Sequence, residues 1–465
     1  MNQTPDSPTI AAVSSAAGYG GIAIVRLSGP ETEAIISRIF KPARSGFPLE
    51  SHKLNLGWIL DPKTGAAIDQ VLCSLMRGPH TYTREDVAEI NTHGGPVVTQ
   101  RILHLAISQG ARLAEPGEFT RRAFLAGRID LSQAEAVAEL IAARSLAEAE
   151  LAANQLDGGL RKQVEDFRET LIEILAHLEV ALDFPEEEAE IIRGPEAARK
   201  IRTDVLKPLD ELLEAYEAGH FYREGLQVAI IGRPNVGKSS LLNRLLKVEK
   251  AIVTPSPGTT RDIIEAEALI EGIPLTLVDT AGLEAETRDE AEAEGQRRAE
   301  SRLNEADLIL IVIDRNRTLS SEDSRILAYG RVRPALILLN KSDLPSAINL
   351  EAVESQSNSW PVLVVSARTG DGISQLRSKI FESVTGGRTK PVHIPAIVPN
   401  TRHKRALEES RQALMPAIQA LAEELPPEIA ALEVRLALDQ LGVITGHTTT
   451  EDILDRIFED FCLGK

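Results

Sequence analysis

Gly232-Arg233-Pro234-Asn235-Val236-Gly237-Lys238-Ser239 decides how the second half of this chain folds. It follows a short apolar run, Val228-Ala229-Ile230-Ile231, and leads into Ser239-Ser240-Leu241-Leu242-Asn243, which reads as a helix start. Strand, Gly-x-x-x-x-Gly-Lys-Ser loop and helix in that order mark a phosphate-binding loop. Gly232 and Gly237 allow backbone conformations that a side chain would block, so successive N–H groups turn inward around a phosphate. The helix N-terminus adds its partial positive charge. Lys238 supplies a point charge for the outer phosphates, and the Ser239 hydroxyl is placed to ligate magnesium. Asn235, Val236, Gly237, Lys238, Ser239 and Ser240 are the expected contact set. The bland alternative, a glycine-rich turn, leaves the motifs downstream without a purpose.

Three more apolar runs follow, each ending in a polar tetrapeptide. Leu275-Thr276-Leu277-Val278 ends in Asp279-Thr280-Ala281-Gly282. Asp279 is expected to hold magnesium through water, and the Gly282 N–H to meet the γ-phosphate. Ala335-Leu336-Ile337-Leu338-Leu339 ends in Asn340-Lys341-Ser342-Asp343. The Asp343 carboxylate can accept both the ring N–H and the exocyclic amine of guanine, whereas adenine would leave it desolvated and unpaired. Val362-Leu363-Val364-Val365 leads to Ser366-Ala367-Arg368, where a backbone N–H can meet the guanine carbonyl. Together the four predict a GTP-binding domain. Between the first two lies Thr254-Pro255-Ser256-Pro257-Gly258-Thr259-Thr260-Arg261-Asp262, whose Pro and Gly say loop. Its residues 254–260 are expected at the nucleotide, with Thr260 on magnesium. Leu283 stands where Ras-like proteins carry the water-orienting glutamine, so another group must complete hydrolysis.

These motifs resemble the GTPases of the TrmE, Era, EngA and septin group. The flanks narrow the resemblance. Pro116-Gly117-Glu118-Phe119-Thr120, Arg122-Ala123-Phe124-Leu125, Asp130-Leu131-Ser132-Gln133-Ala134-Glu135-Ala136 and the C-terminal Phe461-Cys462-Leu463-Gly464-Lys465 are similar to the MnmE (TrmE) family of tRNA-modification GTPases. The resemblance covers nearly the whole chain. It implies an N-terminal α/β domain that binds a tetrahydrofolate and dimerises, over residues 1–120. A helical domain would follow in two parts, 121–218 and 383–465, with a P-loop α/β GTPase domain inserted over 219–382.

Bulk properties agree. A length of 465 residues suits two to four domains. There is no apolar stretch of about 18 residues, and the N-terminus has no basic flank or signal core. Two cysteines, Cys73 and Cys462, make no disulfide framework, which suits a reducing cytoplasm. The tail is no prenylation signal: Gly464 is not aliphatic and Glu459-Asp460 upstream is acidic. A formal net charge of −18 is not the footprint of a broad basic face on nucleic acid.

Within 9–120, Thr9–Val13 and Ile22–Leu27 read as strands around the turn Gly18-Tyr19-Gly20-Gly21, and Ile102–Ile107 as an amphipathic helix ending near Gly110. Arg26, Glu89 and Arg128 match positions that contact a folate in the family. A carboxylate suits the amino-pyrimidine edge of a pterin and guanidiniums suit carboxylates. The resemblance also brings the tail to that pocket, with Lys465 near the ligand and the role of Cys462 left open. From 121 onward the spacing turns helical, through Ala134, Val137, Leu140 and Ile141, then Leu171, Ile174, Leu175 and Leu178. Helical patterns resume at 402–424, 428–442 and 449–461. Arg402-His403-Lys404-Arg405 reads as a solvated helical face rather than a phosphate site.

With no glutamine and no evident arginine finger, the resemblance implies potassium. Asn235 and the carbonyls of Thr254, Ser256 and Thr259 would hold it when two GTP domains meet. In the acidic stretch Asp289–Gly295, Glu292 is expected to position water, with Glu290 and Glu294 as alternatives. Lys238 and Thr260 complete the expected catalytic set. The family works beside an FAD-containing, MnmG-like (GidA-like) partner in a heterotetramer or larger complex. It adds an aminomethyl or carboxymethylaminomethyl group to carbon five of the tRNA wobble uridine, using 5-formyl- or methylene-tetrahydrofolate. The competing class is an Era- or EngA-like switch on ribosomal RNA, which should carry a KH module or a second GTP domain. This sequence shows neither.

Overall fold

The computed structural model describes residues 7–44, 46–183, 193–246, 265–279, 303, 306–331, 333–385, 387, 394–459, 461 and 464–465. The chain divides into two compact units, one of Met1–Ile141, Gln155–Val205 and Glu409–Lys465, the other of Ala142–Asn154 and Leu206–Glu408. The second unit therefore reaches beyond 219–382 at both ends.

The first unit holds a seven-stranded sheet: β1 (Ile10–Val13), β2 (Ile22–Ser28), β3 (Phe40–Pro42), β4 (Lys53–Leu60), β5 (Ala67–Met76), β6 (Val87–His93) and β7 (Arg112–Leu113). Its order is β3-β4-β5-β6-β2-β1-β7, antiparallel except where β1 pairs with β7. Period-two alternation sends Val25 and Leu27 of β2 and Ala88 and Ile90 of β6 to one face. There they bury against Ile35, Ile36 and Ile39 of the helix Thr32–Ile39 and Ile102 of the helix Pro96–Ser108. Each fully buried aliphatic side chain contributes about 1.5–3 kcal/mol. Cys73 lies inside this core, where burial pushes its thiol up to about 12, far from thiolate chemistry. On the other face Ile10 and Ala12 pack with Phe119 of the helix Glu118–Leu125.

Long helices complete the unit. Leu171, Ile174 and Leu178 are buried along Gly159–Asp183. That helix lies beside Pro427–Thr445, with Arg168 donating to the Leu438 carbonyl at 2.9 Å. The last helix, Glu451–Glu459, seats Leu454 and Phe458, with Phe461 beyond it, against Ala123, Ile129, Leu131 and Ala134. This packing brings the end of the chain back to its beginning.

The second unit is a doubly wound sheet of β8 (Leu226–Ile231), β9 (Glu265–Ile270), β10 (Ile273–Asp279), β11 (Leu308–Asp314), β12 (Ala335–Asn340) and β13 (Val362–Val364). The order is β13-β12-β11-β8-β10-β9, parallel except for the edge strand β9. β11 and β12 are buried at every position, the continuous apolar run expected of a strand covered on both faces. Val228, Ile230, Leu310 and Val312 face one core; Ala229, Ile231, Ile309 and Ile311 face the other. The chain winds outward from β8 in both directions, so a crevice opens beyond the carboxyl end of β8. Among the described residues no helix is long and apolar enough to cross a membrane.

Candidate functional site

The phosphate loop sits in that crevice, between β8 and the helix Lys238–Leu246. Gly232 has φ 152° and Gly237 has φ 100°, both in the region that disfavours a side chain. Space forbids one too. A Cβ on Gly232 would lie 2.3 Å from the Val312 carbonyl oxygen, and one on Gly237 would lie 2.4 Å from Nδ2 of Asn340. Asn235 takes φ 64°, a conformation asparagine tolerates better than most residues, and is exposed at the rim. Lys238 curls back to donate to the carbonyls of Gly232 and Arg233. Ser239 and Ser240 are exposed at the helix start. A loop closed this tightly with its lysine inside fits a polyphosphate and its counter-cation.

Asn340 ties three motifs together. Its buried amide donates to the Val236 carbonyl at 2.8 Å and accepts from the Ala367 N–H at 3.0 Å. Lys341, at φ 69°, bonds Asp314 at 2.6 Å. The Ser366 hydroxyl donates to Asp343 at 2.7 Å, with Arg368 3.7 Å away on the other oxygen. The Ser366 bond holds the Asp343 carboxyl below the usual carboxylate range, so the group stays an acceptor at neutral pH. Arg244 fastens the loop by donating to the carbonyls of Ala367 and Arg368. Asp314 was available to the sequence, since it ends an apolar run in the same manner as Asp279. Arg244 carried no such signal. Asp279 ends β10, while Thr254 to Thr260, Thr280, Ala281, Gly282 and Glu292 lie outside the described residues.

A second constellation lies in the first unit. Arg26 and Glu89 face each other across β2 and β6 and form an ion pair at 2.8 Å. Arg26 also reaches the Gly464 carbonyl at 3.5 Å, and the Ser14 hydroxyl donates to the same oxygen at 2.9 Å. Gly464 is buried with φ 91°; a Cβ there would lie 2.3 Å from the Val13 carbonyl oxygen. The Lys465 carbonyl accepts from the Phe119 N–H at 3.2 Å. Lys465 and Arg128 line a cavity of about 470 Å³ together with Tyr82, Gln133, Val137, Leu140, Ile141 and Leu156. Arg128 stacks 4.9 Å from the Tyr82 ring centroid. Arg26 and Glu89 are not on its wall. The Arg26–Glu89 pair and the wall carrying Arg128 meet at the chain's last residues, Gly464 and Lys465. Tyr82 and Gln133 were not foreseen, and residues beyond 120 supply most of the wall.

The basic cluster at 402–405 is only in part the solvated face expected of it: Arg405 is exposed and Arg402 half-buried, but the two residues between them are engaged. His403 is fully buried, and Lys404 bonds Glu217 at 2.8 Å over the ring of Tyr216. Cys462 lies outside the described residues.

Residues 131–462 match the family described as the MnmE helical domain, and residues 9–128 match the GTP-binding protein TrmE N-terminus. A tRNA modification GTPase MnmE of Moorella thermoacetica is 48% identical, over 98% of this chain and 99% of its own. The protein of that name from Lactiplantibacillus plantarum is 42% identical over the full length of both. Among solved structures, the G domain of the T. maritima FeoB iron transporter covers 34% of this chain and 98% of its own, at 25% identity and a TM-score of 0.27.

Because Asn340 holds two motifs at once, Asn340→Ala leaves the Val236 carbonyl and the Ala367 N–H buried without partners. The expected loss is about 1–3 kcal/mol of stability, together with weaker GTP binding. Denaturant unfolding and nucleotide titration measure the two; an unchanged midpoint counts against the tie.

Proposed function

The chain belongs to the MnmE family of tRNA-modification GTPases, and from that premise we propose that it hydrolyses GTP with the help of potassium to control modification at carbon five of the wobble uridine. The group added is aminomethyl or carboxymethylaminomethyl. An FAD-containing partner shares the work in the cytoplasm. A tetrahydrofolate derivative supplies the carbon, and glycine or ammonium the amine. Likeness along 98% of the chain is the observation that carries this reading. Closure of the GTP domains orders the modification site and takes no part in its chemistry.

At the nucleotide, Lys238 meets the outer phosphates, and Ser239 and Thr260 hold magnesium. The Asp343 carboxylate reads guanine. Potassium is held by the Asn235 side chain with the carbonyls of Thr254, Ser256 and Thr259; when bound it supplies the positive charge that an arginine finger supplies elsewhere. The exposed, left-handed Asn235 at the loop rim supports this assignment. Glu292 positions the attacking water. In the first unit Arg26, Glu89, Arg128 and Lys465 serve the folate.

The protein works as a homodimer. A surface for the second copy is offered by the outer face of the N-terminal sheet, where Leu54, Leu56 and Trp58 of β4 and Leu72 of β5 are 64%, 50%, 42% and 42% exposed. Leu56 and Leu72 are direct cross-strand partners. Such a patch is costly in water and is the usual mark of an interface.

Nucleoside analysis of tRNA from a strain lacking this chain is expected to show the modified wobble uridine lost and restored on complementation; an unaltered profile overturns the proposal. GTP turnover should be faster in potassium than in sodium, and Asn235→Ala should erase the difference. Equal wild-type rates in both salts would dismiss the ion. Leu56→Asp is expected to shift the protein toward monomer in sedimentation, whereas an unaffected dimer places the interface elsewhere.

A further inference from the structure

Arg233 is the arginine of the phosphate loop, two residues before the exposed Asn235. Its backbone is central to the loop: the Arg233 carbonyl accepts from the Val236 N–H at 3.5 Å and from Lys238 Nζ at 3.2 Å. Its side chain leaves the loop and crosses to the helix Ser321–Leu327, which follows β11. There Nη1 donates to the Ser320 hydroxyl at 3.0 Å and to Asp323 Oδ2 at 3.3 Å, while Nε stands 2.9 Å from Glu322 Oε2. The receiving end is itself fixed, because Ser320 and Asp323 form a capping box. The Ser320 N–H and hydroxyl donate to Asp323 Oδ2 at 2.9 and 2.6 Å, and the Asp323 N–H donates back to Ser320 Oγ at 3.2 Å. The Asp323 side chain is only 6% exposed, so one partner of this ion pair stands out of water.

A phosphate-loop arginine can swing onto the outer phosphates as a transition-state cation, or it can brace the loop from behind. A swing would break all three contacts and take this counter-charge away from the buried Asp323 carboxylate. Bracing keeps every contact in place. We infer that Arg233 is a positioning residue for GTP hydrolysis, tethering the phosphate loop to the capped start of the helix Ser321–Leu327. The loop is then held from two sides, by Asn340 at the Val236 carbonyl and by Ser320, Glu322 and Asp323 at Arg233. When a nucleotide draws Lys238 off the Gly232 and Arg233 carbonyls, the tether keeps those carbonyls still and the N–H groups beyond them aimed at the phosphates. Affinity for GDP and GTP alike depends on the tether; the chemical step does not.

The test uses the full-length protein and compares wild type with Arg233→Ala, Arg233→Lys, Glu322→Gln and the double variant Arg233→Ala/Glu322→Gln. Fluorescent GDP and a GTP analogue are titrated, single-turnover GTP hydrolysis is timed at saturation, and thermal unfolding is read alongside. Arg233→Ala is expected to weaken both nucleotides about 3- to 10-fold, the scale of a partly exposed, charge-assisted pair. Its single-turnover rate should stay within about twofold of wild type, the split that separates binding from transition-state roles. Arg233→Lys should fall between, since an ammonium cannot serve Asp323 and Glu322 with the planar fork of a guanidinium. Glu322 is 38% exposed and outside the capping box, so Glu322→Gln spares the fold. That variant should weaken both nucleotides by a smaller factor and add nothing on top of Arg233→Ala. A single-turnover rate that falls while affinity holds would make Arg233 a transition-state cation and overturn the tether. Equal affinities in Glu322→Gln and wild type, or additive losses in the double variant, overturn it as well, even where Arg233→Ala fails to fold.

Discussion

The side-chain amide of Asn340 holds the nucleotide site in register. It spans the ends of β12 and the phosphate loop by donating to Val236, and it reaches the segment after β13 by accepting from Ala367. Both bonds are buried, where an unmet amide costs more than a met one gains. The constraint also explains Gly237, since a side chain there would collide with that same amide. Parallel strands end on one edge of a sheet, and a donor–acceptor bridge across that edge converts three flexible loops into one surface. Arg244, clamping the Ala367 and Arg368 carbonyls, and Asp314, clamping Lys341, work in the same way.

The first unit solves a different problem, how to return a chain end to a site built hundreds of residues earlier. Phe458 and Phe461 anchor the last helix on Ala123 and Leu131, a few residues before Gly464. Gly464 fits against Val13 because it lacks a side chain and takes φ 91°. Ser14 and Arg26 fix its carbonyl, and Phe119 fixes the next. Lys465 reaches the cavity as a consequence of packing and not of flexibility.

How far the sequence foretold this depends on whether a signal was local. Each nucleotide motif ends an apolar run, so strand, loop and residue identity could be read from some ten neighbouring positions. The strands at Leu226, Ile273, Ala335 and Val362 begin within two residues of where the apolar runs placed them. The cavity was not legible in that manner. Tyr82, Arg128, Val137, Leu156 and Lys465 share no periodicity and meet only through tertiary packing. β4 hid for a related reason: its exposed Leu54, Leu56 and Trp58 alternate with residues that are not uniformly apolar, which weakens the period-two signal. Arg244 is one of many arginines on helices, and nothing around it marks the two carbonyls it holds.

The basic cluster shows how charge misleads when read without structure. Arg402, His403 and Lys404 are adjacent, yet helical spacing sends them to different surroundings. His403 enters the core and bonds the Asn400 N–H, while Lys404 turns to Glu217 and Tyr216. The hydrogen bond that Lys404 donates to Glu217 raises the pKa of Lys404, so its charge is fixed and already paired with an anion of the same unit. A net charge of −18 does not bar work on tRNA either. At physiological ionic strength, screening over roughly 8 Å confines the repulsion of distant carboxylates. What decides contact with a phosphate is the handful of charges within that radius, and those are set by which side chains the fold has already paired.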